Sequence, residues 1–288
     1  MAEGEALPGH PRVHSCRSEL PDREFRRIVS LVPSLSEALF VLGMGDRLVG
    51  VTRYCVHPRG AFDGLPKLGG TKDADLPAIL ELEPDLVIAN HEENTVRVVR
   101  RLAEAGIDVW VTYPRTVREG ARLLRNLAEL GASAVAVHRW VVPVERAVEA
   151  ASLLANSNAN ARASTLRPKI FCPIWRDPWM TIARETYVHD IIELCGGENL
   201  FAGPETASDR RYPIVTLDEV ERAQPDVILL PDEPFAFTEA DRERLLALDC
   251  PAARDARIHL IDGTLVSWYG PRIAEAIRVL ARIFADQA

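Results

Sequence analysis

The sequence predicts an α/β protein built from two lobes, each with a central parallel sheet, and one long helix between them. Three observations carry this expectation. Short β-rich runs alternate with amphipathic helical segments on both sides of the middle of the chain. A segment of the first half recurs in the second. Residues 132–166, without a glycine, place Val137, Val141, Val144, Val148 and Ala151 at helical spacing. If wholly helical, that stretch is roughly 50 Å long at ~1.5 Å per residue.

Taken in order, residues 1–26 are polar and are expected to form a disordered leader. Residues 27–32 read as a buried strand. Ser34 with Glu37 suggests a capping box for a short helix closed by Gly43 or Gly45. A second strand spans 48–52, and a loop of about twenty residues follows, long enough to suggest a functional role. Asp75 is expected to cap a helix that Pro84 ends. Strand 85–89, a helix capped by Asn94, strand 107–112 and helix 117–130 complete the first lobe.

In the second half the expected strands are 169–173, 226–230 and 257–261. The expected helices are 187–195, 217–223, capped by Thr216 with Glu219, and 271–285. Residues 76–88 align without gaps on 217–229, with Pro84-Asp85 falling on Pro225-Asp226. The domain boundaries are therefore a leader at 1–26, a lobe at 27–131, a backbone helix at 132–167 and a lobe at 168–288. Pro143 removes a backbone donor and crowds the carbonyl of Arg139, so the long helix is expected to bend there and to fray before Pro168.

The formal charge of −8 argues against nucleic acid as a partner, since phosphate binding needs clustered Lys and Arg. Five cysteines without a C-x-x-C pair suggest reduced structural thiols, not a disulfide framework or zinc site. No apolar run is long enough to span a membrane. The leader lacks the apolar core of a signal peptide, which on this sequence suggests a cytoplasmic protein. No phosphate-binding loop, nucleophile elbow or zinc-protease motif is present; catalytic groups far apart in the chain would leave no such motif, so an enzyme stays open here while a non-enzymatic role with no intrinsic cofactor is the expectation.

In parallel α/β lobes, ligands bind beyond the carboxyl ends of the strands. The loops at those positions carry Tyr54, Trp175, Trp179, Tyr212, Trp268 and Tyr269, aromatic groups suited to a large planar ligand in a cleft between lobes. His57 could ligate the metal centre of such a ligand. Asn90, Glu92 and Arg272 are further candidates for polar contacts at its rim.

The chain resembles the cobalamin-binding proteins of ABC importers, within the helical-backbone class of metal receptors that also includes siderophore and haem binders. The resemblance runs over roughly 27–285. It rests on Arg27-Ile-Val-Ser-Leu-Val-Pro-Ser-Leu-Ser-Glu37, Leu48-Val-Gly-Val-Thr-Arg-Tyr54, Leu68-Gly-Gly-Thr71, Pro84-Asp-Leu-Val-Ile-Ala89, Glu193-Leu-Cys-Gly-Gly-Glu-Asn199 and Gly270-Pro-Arg272. It implies two Rossmann-like lobes joined by one backbone helix, with little hinge motion, as in class III periplasmic binding proteins. It also implies a cobalamin-like corrinoid or related metal chelate held in the interlobe cleft. Tyr54 and Tyr212 match aromatic positions that pack on the corrin. Asn90 stands where those binders can carry Trp, a contact that Trp175 and Trp179 could replace. Asp218 matches an acidic residue that docks onto the permease, but its counterpart in the repeat is Pro77, with Asp73 and Asp75 nearby. The implied protein is a monomer, periplasmic by resemblance, with an ABC permease as possible partner. The alternatives are a cytosolic corrinoid or haem carrier or sensor, a siderophore or haem binder and, last, a corrinoid-modifying enzyme.

Overall fold

The computed structural model describes residues 10–160, 167–203 and 211–286. The chain forms two compact units. The N-terminal unit comprises Met1–Pro114, Arg122–Pro143 and Tyr269–Pro271. The C-terminal unit comprises Arg115–Ala121, Val144–Trp268 and Arg272–Ala288.

In chain order the N-terminal unit contributes β1 (Val13–His14), β2 (Ile28–Ser30), α1 (Pro33–Leu39), β3 (Leu48–Val51), α2 (Leu76–Glu81), β4 (Leu86–Asn90), α3 (Val96–Glu104) and β5 (Asp108–Thr112). Its five-stranded sheet has the order β1-β5-β4-β2-β3, and every pairing is parallel. β4 is buried along its whole length, as a strand covered on both faces must be. Val29, Val87, Ala89 and Val109 share one core with Ile79 of α2 and Val98, Val99 and Leu102 of α3.

Two local expectations need correction. Val32 takes the N-cap position of α1, and Pro33 occupies the first turn, where its missing N–H costs nothing. Ser34 therefore lies inside the helix instead of capping it. The hydroxyl of Thr95, not the side chain of Asn94, accepts from Val98 N to cap α3.

The disordered leader also needs correction. Residues 1–9 lie outside the described residues, but from His10 onward the segment is part of the sheet. β1 pairs with Val109 and Trp110 of β5, and Leu20 and Phe25 are buried. Burying side chains of this size contributes about 1.5–3 kcal/mol each. Asp108, at 1% exposure, accepts hydrogen bonds from His14 Nε2 at 3.1 Å, Arg12 at 3.2 Å and Arg23 at 2.8 Å. A polar-looking leader is held because its cations surround one buried carboxylate. Burial alone pushes that carboxyl up. The bonds from His14 and Arg23 and the Arg12 charge outweigh it and hold the group below the usual carboxylate range.

The middle of the chain forms α4 (Val117–Ala128), α5 (Ala134–Ala136) and α6 (Val142–Asn160). α5 and α6 are joined without interruption by a π-helical turn, Val137–Val141. Val142 N donates to Val137 O, a bond spanning five residues. The wider turn ends two residues before Pro143, and the helix continues beyond it. It packs on a second π turn, Phe40–Met44. Val141, Val144, Val148 and Ala151 are buried, as their spacing requires. Of the fraying expected before Pro168, α6 shows none as far as Asn160, and residues 161–166 lie outside the described residues.

The C-terminal unit continues with β6 (Lys169–Phe171), β7 (Pro173–Trp175), β8 (Met180–Thr181), α7 (Tyr187–Leu194), β9 (Glu198–Asn199), α8 (Leu217–Ala223), β10 (Val227–Pro231), α9 (Glu239–Leu246), α10 (Pro251–Arg254), β11 (Ile258–Ile261), α11 (Thr264–Ser267) and α12 (Ile273–Ala285). Its parallel sheet has the order β11-β10-β6-β9, and β7 with β8 forms a separate antiparallel ribbon. The capping box of Thr216 and Glu219 is present on α8. All five cysteines are free, and burial pushes the Cys172 and Cys195 thiols up to about 12.

The repeated Pro-Asp pair does the same work in both units. Glu83 and Gln224, each before the proline, turn the chain through φ +44° and +50°. The Asp85 carboxylate accepts from Arg26 N and Arg27 N, and Asp85 N donates to Arg27 O. The Asp226 carboxylate accepts from Lys169 N, and Asp226 N donates to Lys169 O. Each aspartate thus fixes the start of the neighbouring strand.

A second polar hub sets the opposite, carboxyl edge of the N-terminal sheet. Asn94 is buried. Its amide donates to Leu31 O after β2 and to Thr71 O in the long loop, and its Oδ1 accepts from Asn90 N at 2.8 Å. One side chain therefore joins three loops.

Two stability effects follow. Asp108→Ala should lower the unfolding free energy by about 2–3 kcal/mol, the scale of lost charge-assisted hydrogen bonds. Because the folded-state pKa of Asp108 is depressed, its contribution is complete above its unfolded value of about 4 and disappears as pH falls through the folded value. Urea melts at neutral and acid pH should show a mutational loss that shrinks on acidification; equal losses at both would contradict the cluster. Asn94→Ala should cost about 2–4 kcal/mol through three lost bonds and unsatisfied buried carbonyls. Hydrogen exchange should speed up at Asn90 and in residues 69–75, with little change in the C-terminal unit.

Candidate functional site

Since each sheet is parallel, the loops after its strands emerge along one edge. In the N-terminal unit, β3 delivers Arg53 and Tyr54. Tyr54 is 51% exposed, and the Arg53 guanidinium lies 5.2 Å from its ring centroid. Arg53 is held by both carboxylate oxygens of Asp73, at 3.0 and 2.8 Å, and its hydrogen bonds keep the Asp73 carboxyl below the usual range. Gly70 N donates to the same carboxylate. A Cβ at Gly70 would meet the side-chain ends of Asp73, Arg53 and Tyr54, so a larger residue there would displace the Arg53–Asp73 pair from beside the Tyr54 ring.

The same loop reaches the end of β4. Thr71 O is bound by Asn94, and the Lys72 ammonium donates to Glu92 O. Tyr54 and Glu92, far apart in sequence, are thereby tied to one loop. His91 and Tyr113, following adjacent strands β4 and β5, bring their exposed rings to 4.5 Å between centroids. His57 is half-buried in the long loop.

Asn90, a candidate ligand contact, is buried, and its amide serves the unit itself. Oδ1 accepts from Glu92 N and Glu93 N, and Nδ2 donates to the hydroxyl of Tyr269 at 3.1 Å and to Thr112 Oγ1 at 3.4 Å. Tyr269 is buried as well. These two residues fix the loop instead of presenting a surface.

In the C-terminal unit the aromatic candidates separate by burial. Trp175, at the end of β7, is 45% exposed and meets Phe235 edge-on at 5.4 Å. Phe235 leans on Phe237 at 4.8 Å. Trp179 is only 6% exposed and stacks on Phe237 at 5.8 Å and 10°. It shares a core with Phe171, Val220, Ile228 and Leu245, so the indole expected to meet ligand instead supports the lobe. Arg176 lies over Phe235 at 5.4 Å and is paired with the buried Asp241 carboxylate. Burial pushes that carboxyl up, but its bonds from Thr238 and the Arg176 charge hold it below the usual range.

Tyr212 is exposed, with the Arg211 guanidinium 5.4 Å from its ring centroid. Its segment is fixed by Thr181 N donating to Pro213 O and by a bridge from Met180 to Ile214. Trp268 is buried beneath the Arg272 guanidinium, 5.1 Å from the ring centroid. Arg272 also donates to Thr264 Oγ1 and faces Asp262 at 3.6 Å. Asp218 is exposed in the first turn of α8, and Pro77 is exposed in α2.

Arg53, Tyr113, Phe235 and Phe237 were not singled out by sequence, although each follows a strand closely. The rule that selected Tyr54 would have found them. No group of three or more His, Cys, Asp or Glu side chains among the described residues is arranged to hold a bare metal ion. No helix among them is long and apolar enough to cross a membrane.

The family described as periplasmic binding protein matches residues 28–249. A vitamin B12-binding protein of Yersinia pestis is 28% identical over 211 residues, covering 73% of this chain and 71% of that protein. The structure is similar to the apo form of a periplasmic heme-binding protein from Roseiflexus sp. RS-1, with a TM-score of 0.73 and 27% identity over 90% of this chain and 97% of that one. It shares its fold with a periplasmic vitamin B12-binding protein of Vibrio cholerae, with a TM-score of 0.74 and 23% identity over 90% of this chain and 96% of that one. The family match spans well over half the chain and the two parallel α/β units with their long helix agree with it, so the chain belongs to the periplasmic binding proteins, non-catalytic solute-binding proteins, in their helical-backbone class.

Proposed function

We propose that the protein binds a metal tetrapyrrole, haem or a corrinoid, and delivers it from the periplasm to an ABC importer. The observation that carries this reading is the pairing of exposed aromatic rings with arginines at the carboxyl edges of the strands. Tyr54 lies beside Arg53, and Tyr212 beside Arg211. Trp175 packs on Phe235, which Arg176 covers. An apolar macrocycle gains from the rings, and polar groups at its periphery gain from the guanidiniums.

Haem is the first reading, because its carboxylates suit guanidinium donors better than corrin amides do. The similarity to a B12-binding protein favours a corrinoid as the second. His57 and the His91–Tyr113 pair are the groups to test for contact with the metal centre. Glu92 and Arg272 remain proposed rim contacts, and Trp268, Tyr269, Asn90 and Trp179 act from beneath the surface. Asp218 is proposed to meet the permease, with the apolar Pro77 at the matching position of α2. The protein is proposed to act as a monomer.

Titration of the purified protein with haemin, cobalamin, cobinamide and a ferric siderophore should show a change in ligand absorbance and tryptophan quenching with haemin or a corrinoid. No response to either class would overturn the reading; a response to the siderophore alone would redirect it. Tyr54→Ala and Trp175→Ala should each weaken binding about 5–30-fold, equivalent to about 1–2 kcal/mol. Trp179→Ala should instead lower stability by about 3–5 kcal/mol, as removal of a core aromatic does.

A further inference from the structure

Glu233 follows β10 and is not among the candidate ligand contacts. It is half-buried, and its carboxylate accepts from Ser267 Oγ at 2.7 Å and from the indole N–H of Trp268. The turn before α11 wraps around it: a Cβ on Gly263 would come within 2.5 Å of Glu233 Cγ and 2.7 Å of its nitrogen. Gly263 N donates to the neighbouring Asp232. Two residues on, Phe235 carries the exposed Trp175 ring. Glu233 therefore joins two loops. One bears Phe235 and the other bears Trp268.

The charged groups facing this junction are Asp232 on the same loop, Asp262 after β11 and Arg272 at the start of α12. Arg272 pairs with Asp262 and lies over the Trp268 ring. Of these, the carboxylate that takes the indole N–H is Glu233. Ionised, it accepts charge-assisted bonds from Ser267 and Trp268. Protonated, its hydroxyl can donate to Ser267 Oγ, whose own proton turns to Gly263 O at 2.9 Å, and the indole N–H is left with a neutral and weaker acceptor.

We propose that Glu233 is a positioning residue for the Trp175–Phe235 edge: its ionised carboxylate locks Trp268 and the 232–237 loop in the ligand-ready arrangement, and its protonation loosens them, so ligand affinity falls on acidification. The proposal rests on the tetrapyrrole reading for its functional half. Its structural half, the link between Glu233 and Trp268, does not. Burial, with the nearby Asp232 and Asp262 charges, pushes the Glu233 carboxyl above the usual carboxylate range. The change is thereby brought towards mildly acid pH.

Tryptophan emission of the ligand-free protein should be followed from about pH 8 to about pH 4, with haemin and cobalamin affinities measured across the same range. The wild type should show an emission change that is lost in both Glu233→Gln and Trp268→Phe. Gln keeps an acceptor for Ser267 and cannot ionise. His189 and His259 also titrate below the usual histidine range, but both remain in the Gln variant. The dissociation constant should rise in the wild type by up to about tenfold per unit difference between free and bound pKa, and stay flat in Glu233→Gln. An emission change that survives both substitutions, or equal pH dependence of affinity in wild type and Glu233→Gln, overturns the proposal. No binding by the wild type at any pH, with the emission change intact, removes the tetrapyrrole reading and the functional half while leaving the Glu233–Trp268 link supported.

Discussion

In each unit one aspartate carboxylate fixes where a sheet begins, and the geometry of the edge that carries the candidate contacts depends on it. Asp85 and Asp226 follow a proline at the end of a helix, and each bonds the backbone at the start of the adjacent strand. Because the sheets are parallel, fixing the amino end of a strand also fixes the level at which its carboxyl end delivers a loop. Tyr54, His91 and Tyr113 in one unit, and Trp175 and Phe235 in the other, are placed by strands aligned in this way.

Polar side chains under and beside the loops, some of them buried, then hold the exposed rings in place. Asn94, Asn90 and the Arg53–Asp73 pair act in the N-terminal unit; Asp241, Glu233 and Arg272 act in the C-terminal unit. An unsatisfied buried polar group costs about 1–3 kcal/mol, so a network of satisfied ones defines a single loop arrangement sharply. On the proposed function, that suits a ligand which must find several aromatic surfaces already oriented, because little ordering is left to oppose binding.

Much of the architecture was legible because it is written at short range. The alternation of elements, the Asp75 cap and the Thr216–Glu219 capping box depend on residues within four positions of one another. Pro143 announced a disturbance for the same reason, through its missing N–H. The form of the disturbance was not legible. A π turn absorbs it, packed on the π turn at Phe40–Met44 nearly a hundred residues away. The cap assigned to Asn94 shows the opposite error: the local rule was satisfied by Thr95, leaving Asn94 free for distant carbonyls at Leu31 and Thr71.

The sequence by itself determined two α/β halves, the repeated Pro-Asp junction, a long helix and aromatic residues near strand ends. Spacing along the chain sets these through helix and strand periodicity and the chemistry of caps and turns. Only the tertiary structure decided that Trp175 is exposed while Trp179, four residues on, lies in the core. It also decided that a polar leader forms an edge strand, because Asp108 and the cations that surround it are more than eighty residues apart. Exposure and the pairing of buried charges are set by which distant segments meet, and no local pattern records that.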